Sequence, residues 1–483
     1  MSPIITQEKR TIYRLKIEGF LEGFRRNRLG VLGIILLLVY IIAGLFAPWL
    51  SPYDPQQSQL LADAYAMPGW MKIFPQFSDY PNTINVTANW VVQQKTDSMA
   101  VEWGKTVNMV FNTTDTSETA EMIMNATFNY PYSVPPQRFV VTYDLLIGNI
   151  TNTWYYAEMV IVNQAGNSTR IWILPFTDAT TEVSPIRDSS DAWLVKELGY
   201  SDPKAVNVAR SHVFTAPVKG TYTLAFHLYF RPDEGAPFAS ATATLGNAQV
   251  WIPGLVHGIL GTDFLGTDVF SQLIHGAKIS LAIGLLAAGL ETSIGILIGV
   301  ISGYTGGLVD EALMRIVDIL LCLPVLPLLL TLVFVFGKNV FYIVILIGVF
   351  GWQGLARTIR SQVLVLRESS FVESAVASGA GKYYIMIRHI VPNIFPIAIS
   401  SLVLSVPAAI LTEAGLSFLG FGDPRTPTWG KMLNQAFGFG AFEKLAWWVA
   451  IPPGLAITFL SLAFVFMGYA IDEIVNPRLR RRR

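Results

Sequence analysis

The chain has 483 residues, of which 52% are hydrophobic and only 14% are charged, and its mean hydropathy is +0.45. Soluble globular proteins carry roughly 25% charged residues, so this composition predicts a chain that lies largely in a membrane. The formal net charge of +0 gives no reason to expect nucleic acid as a partner. The single cysteine, Cys322, excludes a disulfide framework within the chain.

Six stretches approach or reach the length of about 20 mostly apolar residues that a membrane-spanning helix needs. These predicted spans are residues 29–50, 280–302, 315–336, 339–356, 390–412 and 446–470. The first stretch is too long for the core of a signal peptide and lacks a convincing cleavage site, so it is interpreted as a retained anchor. The prolines of the third and fifth spans are expected to interrupt backbone hydrogen bonding there.

Lysine and arginine predict the orientation of these spans, because basic residues collect on the cytoplasmic side. Basic clusters precede the first span, follow the last span and occupy the loop between spans four and five. With six spans, all three clusters fall on one side. The prediction is therefore a multi-pass plasma-membrane protein with a cytoplasmic N-terminus (1–28), a first helix (29–50), an extracytoplasmic segment (51–256) and a five-helix core (257–483).

The extracytoplasmic segment has a different pattern from the rest of the chain. Runs rich in Val, Ile, Thr, Tyr and Phe alternate with turn residues at 138–146, 154–162, 169–174, 221–230 and 241–252. They predict an independent all-β domain, most simply a sandwich. Five Asn-x-Ser/Thr sequons make this segment a candidate glycoprotein region, provided the host glycosylates proteins. They begin at Asn85, Asn112, Asn125, Asn149 and Asn167.

The loop between spans four and five (357–389) carries the most informative motif. An acidic residue is followed by small residues, a glycine six positions after the acid, and an Arg-His-Ile-x-Pro ending. The residues that define it are Glu373, Ser374, Ala375, Gly379, His389 and Pro392. This pattern resembles the EAA loop of ABC importer permeases, and its ending resembles the C-type membrane subunit of the dipeptide/oligopeptide permease family. Small residues suit close helix packing, and glycine suits a sharp turn between two short helices.

Further segments resemble the same family. Residues 261–268 resemble a Gly-Thr-Asp-x-x-Gly-Arg-Asp segment, with Thr267 in place of the usual arginine. Residues 303–320 and 412–430 resemble the family at the turn between spans two and three and at the outer end of span five. The resemblance is weak over 10–50 and strong over 257–480, whereas the predicted outer domain has no counterpart in it.

The resemblance implies an all-α, six-span permease of the type I-like ABC importer class, with an inserted extracytoplasmic all-β domain. It implies a second homologous permease, two ATPase subunits that receive the EAA loop, and an extracytoplasmic substrate-binding protein as partners. This chain should bind no cofactor and hydrolyse no ATP, with ATP and Mg²⁺ held by the ATPases. Indeed the nearest approach to a P-loop, at 380–383, lacks the first glycine and the Ser/Thr hydroxyl.

Three ionisable residues fall within predicted spans, where charge is costly. For Asp318 and Glu413 the family match favours structural hydrogen bonding over contact with cargo. Glu291 occupies a position where the family usually has an apolar residue, so it either lines the pathway or bonds a hydroxyl of a neighbouring helix.

The predicted function is import of dipeptides or short oligopeptides delivered by the binding protein. Short oligosaccharides, which the same family also carries, are an open alternative. A proton-coupled secondary transporter would need repeated halves and an intramembrane proton relay. A membrane-anchored adhesion or sensor protein would leave five spans and the EAA loop unexplained.

Overall fold

The computed structural model describes residues 24–55, 60–202 and 206–475. They form two compact units, which we call the helical unit (Met1–Ser58 with Val269–Arg483) and the β unit (Gln59–Asp268). The predicted outer domain, 51–256, starts earlier and ends earlier than the β unit. Most of the basic residues at the two chain ends lie outside the described residues.

The described part of the helical unit consists of helices joined by short connections. They are α1 (Arg28–Leu45), α2 (Ala47–Leu50), α4 (Val269–Thr305), α5 (Gly307–Cys322), α6 (Val325–Phe336), α7 (Val340–Gly351), α8 (Gln353–Arg367), α9 (Ser370–Ala377), α10 (Lys382–Ile385), α11 (Val391–Phe418), α12 (Trp429–Gly438) and α13 (Trp447–Val475); α3 belongs to the β unit. A π-helical turn, Met386–Ile390, joins α10 to α11.

Four helical segments of the described chain are long and apolar enough to cross a membrane. They are Arg28–Leu45, Val269–Thr305, Lys382–Phe418 and Trp447–Ile474. Two helix pairs, α5 with α6 and α7 with α8, meet the same test only when each pair is taken as one bent span. The described residues therefore provide between four and six spans.

The third predicted span is wrong as a single helix. It divides into α5 and α6, whose axes differ by 89°. The break falls at Leu323, which has extended backbone angles (φ −73°, ψ 136°), followed by Pro324. A proline has no N–H to donate, and its ring disfavours helical angles in the residue before it. Pro327, in the first turn of α6, is tolerated because the N–H groups there lack partners within the helix.

The fourth predicted span ends in the wrong place. The chain bends by 41° near Trp352 and then continues as α8 to Arg367, so the first part of the predicted loop 357–389 is helical. Buried residues recur along α8 at Ala356, Ile359 and Val363, which is helical spacing. An amphipathic helix of this kind is missed when only continuous apolar runs are sought. The prolines of span five lie inside α11, which continues through both of them, so the missing proline N–H groups do not break the helix.

A row of glycines brings α4 against α8. Added Cβ atoms on Gly295, Gly299 and Gly303 would lie within 3.0 Å of atoms of α8, including backbone oxygens at the second and third positions. The side chains opposite them recur with the same spacing of four, so the two helices pack closely along three turns. Because lipid offers no hydrophobic drive for helix association, such small-residue packing is a main source of affinity between spans.

The β unit is a sandwich of two antiparallel sheets, and the prediction of a separate all-β region is confirmed. Its strands are β1 (Met67–Pro68), β2 (Ile84–Thr87), β3 (Val91–Lys95), β4 (Met99–Trp103), β5 (Val107–Thr113), β6 (Ala120–Tyr130), β7 (Val140–Thr151), β8 (Thr153–Val162), β9 (Ser168–Thr177), β10 (Thr181–Val183), β11 (Ile186–Asp188), β12 (Gly220–Pro232), β13 (Ala239–Ile252) and β14 (Val256–His257); one short helix, α3, is Ala192–Glu197. One sheet has the order β3-β6-β12-β8-β9. The other has the order β10-β7-β13-β5-β4, with β11 and β2 beside β7 and β13.

The core of the β unit lies between the two sheets. Buried and less buried residues alternate along β6 and β13, as expected for strands with one face in a core. Aromatic side chains fill it; Phe111 of one sheet stacks on Phe230 of the other with ring centroids 5.0 Å apart. Among the aromatic residues of the β unit, Tyr155 is fully buried, whereas Trp103 remains 57% exposed.

The two ends of the β unit are joined to each other by hydrogen bonds. Short parallel strands β1 and β14 pair, and the Thr262 hydroxyl donates to the Asp63 carbonyl over 2.6 Å. Asp263 Oδ1 accepts from the backbone N–H groups of Leu265 and Thr267. Gly266 has a φ of +73°, and a Cβ there would lie 2.4 Å from a carbonyl oxygen. The 261–268 motif is therefore a tight loop that fixes the incoming segment.

Candidate coupling site

The EAA motif forms a helix–turn–helix between α8 and α11. Helix α9 starts after Ser369, and Glu373 lies in its first turn, where a carboxylate favours the positive end of the helix dipole. The side chain of Glu373 is exposed, as is that of Ser374, while Ala375 is half-buried. Ser374 also donates its hydroxyl to the Ser370 carbonyl over 2.7 Å.

Gly379 makes the turn between the two short helices. Its φ is +79°, in the left-handed region, and its N–H donates to the Val376 carbonyl over 2.9 Å. No atom lies within 4 Å of where a Cβ would be, so the backbone angle rather than space is what requires glycine. The sharp turn predicted at this position is present.

One side of this helix–turn–helix is held by the helical unit. Val372 of α9 and Ile385 of α10 are each 1% exposed. They pack in a cluster with residues of α4 and α8, including Val300 and Ile359. The position of the turn is therefore fixed to two long helices through apolar contacts. Pro392 is the second residue of α11 and directly follows the π-helical turn Met386–Ile390.

The other side of the helix–turn–helix is uncovered. Tyr383 is 80% exposed and Ile387 69% exposed, and Val376 and Tyr384 are also exposed. His389 is half-buried, with its ring centroid 5.8 Å from that of Tyr384. Beside this surface a cavity of about 480 Å³ opens between the end of α4 and α9. Its lining includes Tyr304, Arg367, Glu373 and Lys382. An exposed apolar surface with charged neighbours is typical of a protein–protein contact.

An ion pair strengthens the region behind the site. Arg360 of α8 donates two hydrogen bonds to the carboxylate of Asp310 on α5, over 2.5 and 2.6 Å. Ser302 of α4 donates to the same carboxylate. Three helices thus meet at one bidentate pair. This pair was missed by sequence reasoning, although the acidic residue lies in the segment that resembles the family.

Glu291 lies between helices of the same chain. The Ser405 hydroxyl of α11 donates to its carboxylate over 3.1 Å. A Cβ on Gly351 of α7 would lie 2.9 Å from the other carboxylate oxygen. Of the two roles left open for Glu291, these contacts match the hydrogen bond between neighbouring helices.

The other two acids of the predicted spans also have partners within the chain. Asp318 accepts from Arg357 over 2.5 Å, in a pair whose two side chains are about half exposed. Glu413 is 2% exposed and accepts from the Ser417 hydroxyl over 2.6 Å, with Thr428 as a second partner. Both contacts are of the structural kind that the family match implies for these positions.

The predicted glycosylation acceptors all lie on strands or turns of the β unit. Asn85, Asn112, Asn149 and Asn167 are exposed. Asn125 is half-buried on β6, and its side-chain amide donates to Gln93 of β3. A glycan is attached to that amide nitrogen, so this contact makes Asn125 the least accessible acceptor.

Comparison with known proteins identifies the family that the helical unit resembles. Residues 295–481 match the model for the inner membrane component of binding-protein-dependent transport systems. Residues 19–68 match the N-terminal TM domain of oligopeptide transport permease C. A dipeptide transport system permease protein of Bacillus subtilis is 36% identical over 222 residues, 46% of this chain and 69% of the relative.

Two further relatives agree. An oligopeptide transport system permease protein of Bacillus subtilis is 38% identical over 46% of this chain and 72% of the relative. A glutathione transport system permease protein of Pectobacterium atrosepticum is 36% identical over 46% of this chain and 73% of the relative. Among solved structures, a mannan-recognising carbohydrate-binding module aligns with 36% of this chain and 99% of its own at 11% identity. Its TM-score of 0.18 does not establish a shared fold.

The alignments with these relatives extend over more than two thirds of each relative's length, at more than 30% identity. Both family models agree with them, and the EAA helix–turn–helix lies inside the longer matched region. The chain therefore belongs to the binding-protein-dependent ABC importer permeases, as a non-catalytic C-type membrane subunit of the dipeptide/oligopeptide permease family.

Proposed function

We propose that this chain forms half of a peptide import pathway, with a second homologous permease as the other half and two separate ATPase subunits as the motor. Relatives named for dipeptide, oligopeptide and glutathione transport support peptides as the cargo. The observation that carries the proposal is the helix–turn–helix around Gly379, buried on one side and uncovered on the other.

The geometry suggests how force passes through the chain. The ATPases would bind the uncovered surface that includes Tyr383 and Ile387. Because Val372 and Ile385 pack against α4 and α8, a displacement of the turn is transmitted to those helices rather than absorbed by a loose loop. The Arg360–Asp310 pair extends the connection to α5. This chain thus supplies mechanical coupling, while ATP and Mg²⁺ belong to the partner subunits.

We further propose six spans, with both bent helix pairs crossing the plasma membrane. Both termini would then be cytoplasmic and the β unit extracytoplasmic. The basic residues that flank α8 and α9 support this orientation, since the coupling site must face ATP in the cytoplasm.

In that arrangement the β unit is tethered at both ends to the pathway entrance. We propose that it binds the substrate-binding protein and raises its effective concentration there. The segment to isolate is 59–268, which is the whole β unit. A shorter segment that ended at residue 250 would lose the last residues of β13 and all of β14, the strand that pairs with β1. It should give a β-type circular dichroism spectrum and bind the delivery protein more tightly than free peptide. A helical spectrum, or tight binding of peptide alone, would contradict the proposal.

The cargo is tested by uptake. Cells lacking the chain should fail to accumulate a labelled dipeptide and tetrapeptide, and should regain both when the chain is restored. Unlabelled peptides should compete, whereas neutral trisaccharides should not. Unchanged peptide uptake in the deleted strain, in the absence of a second peptide importer, would overturn the assignment.

A further inference from the structure

The solvent-facing side of the five-stranded sheet carries a row of aromatic side chains. Tyr229 of β12 lies directly opposite Tyr156 of β8 on one side and Glu121 of β6 on the other. Phe176 of β9 extends the row, with ring centroids 5.6 Å from Tyr156 and 5.7 Å from Tyr229. This surface is not needed for the core, because the opposite face of β12 already supplies buried Phe226, Leu228 and Phe230.

Pairs that include polar side chains lie two residues before and two residues after this row on β8 and β12. On one side Glu158 lies opposite His227, and on the other Trp154 lies opposite Arg231. A cavity of about 300 Å³ is lined by the aromatic row together with Glu158 and His227. A second cavity, of about 470 Å³, is lined by Trp154, Arg231 and residues of neighbouring turns. Adjacent rows on one face are two residues apart, so these side chains follow one another along β8 and β12, and we call them the aromatic track.

Most of the polar groups are held in place by each other. Glu158 accepts from Tyr156 over 2.5 Å and from Arg170 over 2.7 Å, and it lies 3.2 Å from His227. Burial alone would raise the pKa of Glu158, but the hydrogen bonds from Tyr156 and Arg170 outweigh burial and hold the pKa below its ordinary value.

The remaining groups complete the track. Trp154 donates to Asp233 over 3.0 Å, and the Arg231 guanidinium lies 5.2 Å from the Phe176 ring centroid. Among the described residues, the Glu121 carboxylate makes no hydrogen bond or ion pair, so it is free to accept one from a ligand. Positive and negative groups are interspersed along the track.

This combination selects a class of ligand. Exposed rings bind the apolar C–H face of a ligand, while fixed carboxylate, imidazole and guanidinium groups bind hydroxyls. Carboxylates lie beside guanidinium and imidazole groups along the track, so the surface does not present charge of a single sign. We propose that the outer face of the five-stranded sheet is a binding site for a neutral oligosaccharide. The proposal rests on the β unit alone and is independent of the cargo of the permease.

The test uses the full chain, purified in lipid nanodiscs, and isothermal titration calorimetry. The probes are neutral hexasaccharides of β-1,4-linked glucose, β-1,4-linked mannose, β-1,3-linked glucose and α-1,4-linked glucose, with hexagalacturonate and tetralysine as charged probes. At least one neutral probe should bind, and Phe176→Ala and Tyr229→Ala should each weaken it about tenfold or more. Trp103→Ala removes an exposed aromatic ring from the other sheet and is the matched control, expected to bind as the wild type does.

Cross-strand aromatic pairs also stabilise sheets, so thermal unfolding of each variant is measured alongside binding. Phe176 is 45% exposed, and its removal should leave the fold intact. The proposal is overturned if no neutral probe binds at concentrations up to about 10 mM, beyond the range of weak affinities. It is also overturned if only a charged probe binds, or if a folded Phe176→Ala variant binds as the wild type does.

The same variants distinguish two sources of the saccharide. If the bound sugar is cargo, the assembled transporter should take it up, and Phe176→Ala should slow uptake. If the sugar belongs to a fixed glycan of the cell surface, it should bind without being taken up.

Discussion

The two units of this chain are built on opposite principles. The β unit places its large apolar side chains between two sheets and its polar residues outside, as a water-soluble domain does. The helical unit exposes apolar side chains, such as Leu286 at 63% and Phe334 at 78%, and joins its helices through glycine contacts and a few polar pairs. From this difference we expect the helical unit to need lipid or partner subunits as cover and the β unit to fold without them.

The family accounts for most of the helical unit but only for the two ends of the β unit. The family models match 19–68 and 295–481, and each reported relative aligns with only 46% of this chain. The candidate coupling site lies in the helical unit, whereas the aromatic track lies in the β unit. Substitutions in one unit should therefore leave the function of the other intact.

The largest effect is expected at the turn of the coupling site. Gly379→Pro should abolish uptake while the chain still inserts, because proline cannot adopt a φ of +79° and removes the N–H that bonds Val376. Glu373→Lys should also abolish uptake, by reversing the charge offered to the ATPases. Uptake and co-purification of the ATPases measure these effects.

A matched control exists two residues away. Gly381 has an ordinary φ of −70° and, like Gly379, open space at the Cβ position. Gly381→Ala should be harmless, whereas Gly379→Ala should cost about 1–2 kcal/mol of backbone strain. Normal transport and normal ATPase recruitment in both Gly379→Pro and Glu373→Lys would remove the coupling role from this turn.

A smaller effect is expected at the ion pair behind the site. Arg360→Ala leaves the part-buried Asp310 without its bidentate partner and should destabilise the helical unit by on the order of 2 kcal/mol. Arg357→Ala breaks a pair whose side chains are 54% and 50% exposed, and should cost at most about 1 kcal/mol. Thermal unfolding in detergent measures the stability of both variants. Equal losses of stability would show that the difference in burial between the two ion pairs does not matter.

A still smaller effect is expected at Glu291. If this carboxylate only bonds Ser405, Glu291→Gln keeps the hydrogen bond, and peptide uptake should stay within about twofold of wild type. Uptake rates for neutral, acidic and basic dipeptides measure this. A selective loss of basic peptides would instead make Glu291 a pathway residue that senses cargo charge.

The smallest effect tests the independence of the two units. Ile84 and Ile252 are paired in antiparallel strands, so the chain enters and leaves the sandwich at neighbouring positions. Replacing 84–252 by an Asn-Gly turn should therefore leave membrane insertion and ATPase binding unchanged. Loss of both in the shortened chain would show that the permease depends on the β unit for folding.

Much of this architecture follows from local sequence signals, and the exceptions have physical causes. Five of the fourteen strands in the described residues were predicted from β-branched and aromatic runs; the others were missed, and the longest of these is β6. Its buried residues occupy every second position, Ala120, Met122, Met124, Ala126 and Phe128, but Ala and Met are not among the β-branched and aromatic residues that mark a strand. Periodicity was the better signal in that strand.

The helical unit shows a related limit. The turn at Gly379 could be predicted because one backbone angle demands glycine. The prolines of the third span indicated an interruption there, but not the angle of 89° between α5 and α6. The continuation of α8 was missed because its amphipathic pattern is not a continuous apolar run. The Gly295–Gly299–Gly303 spacing was visible in the sequence, but its partner on α8 became identifiable only in three dimensions.

ATP-dependent peptide uptake into proteoliposomes tests the central claim most directly. The chain is reconstituted with its second permease and the loaded substrate-binding protein, with and without the two ATPase subunits. Uptake should require the ATPases and ATP, and the chain purified alone should hydrolyse no ATP. Robust ATP hydrolysis by a preparation shown to be free of ATPase subunits, or ATP-driven uptake without them, would contradict the account.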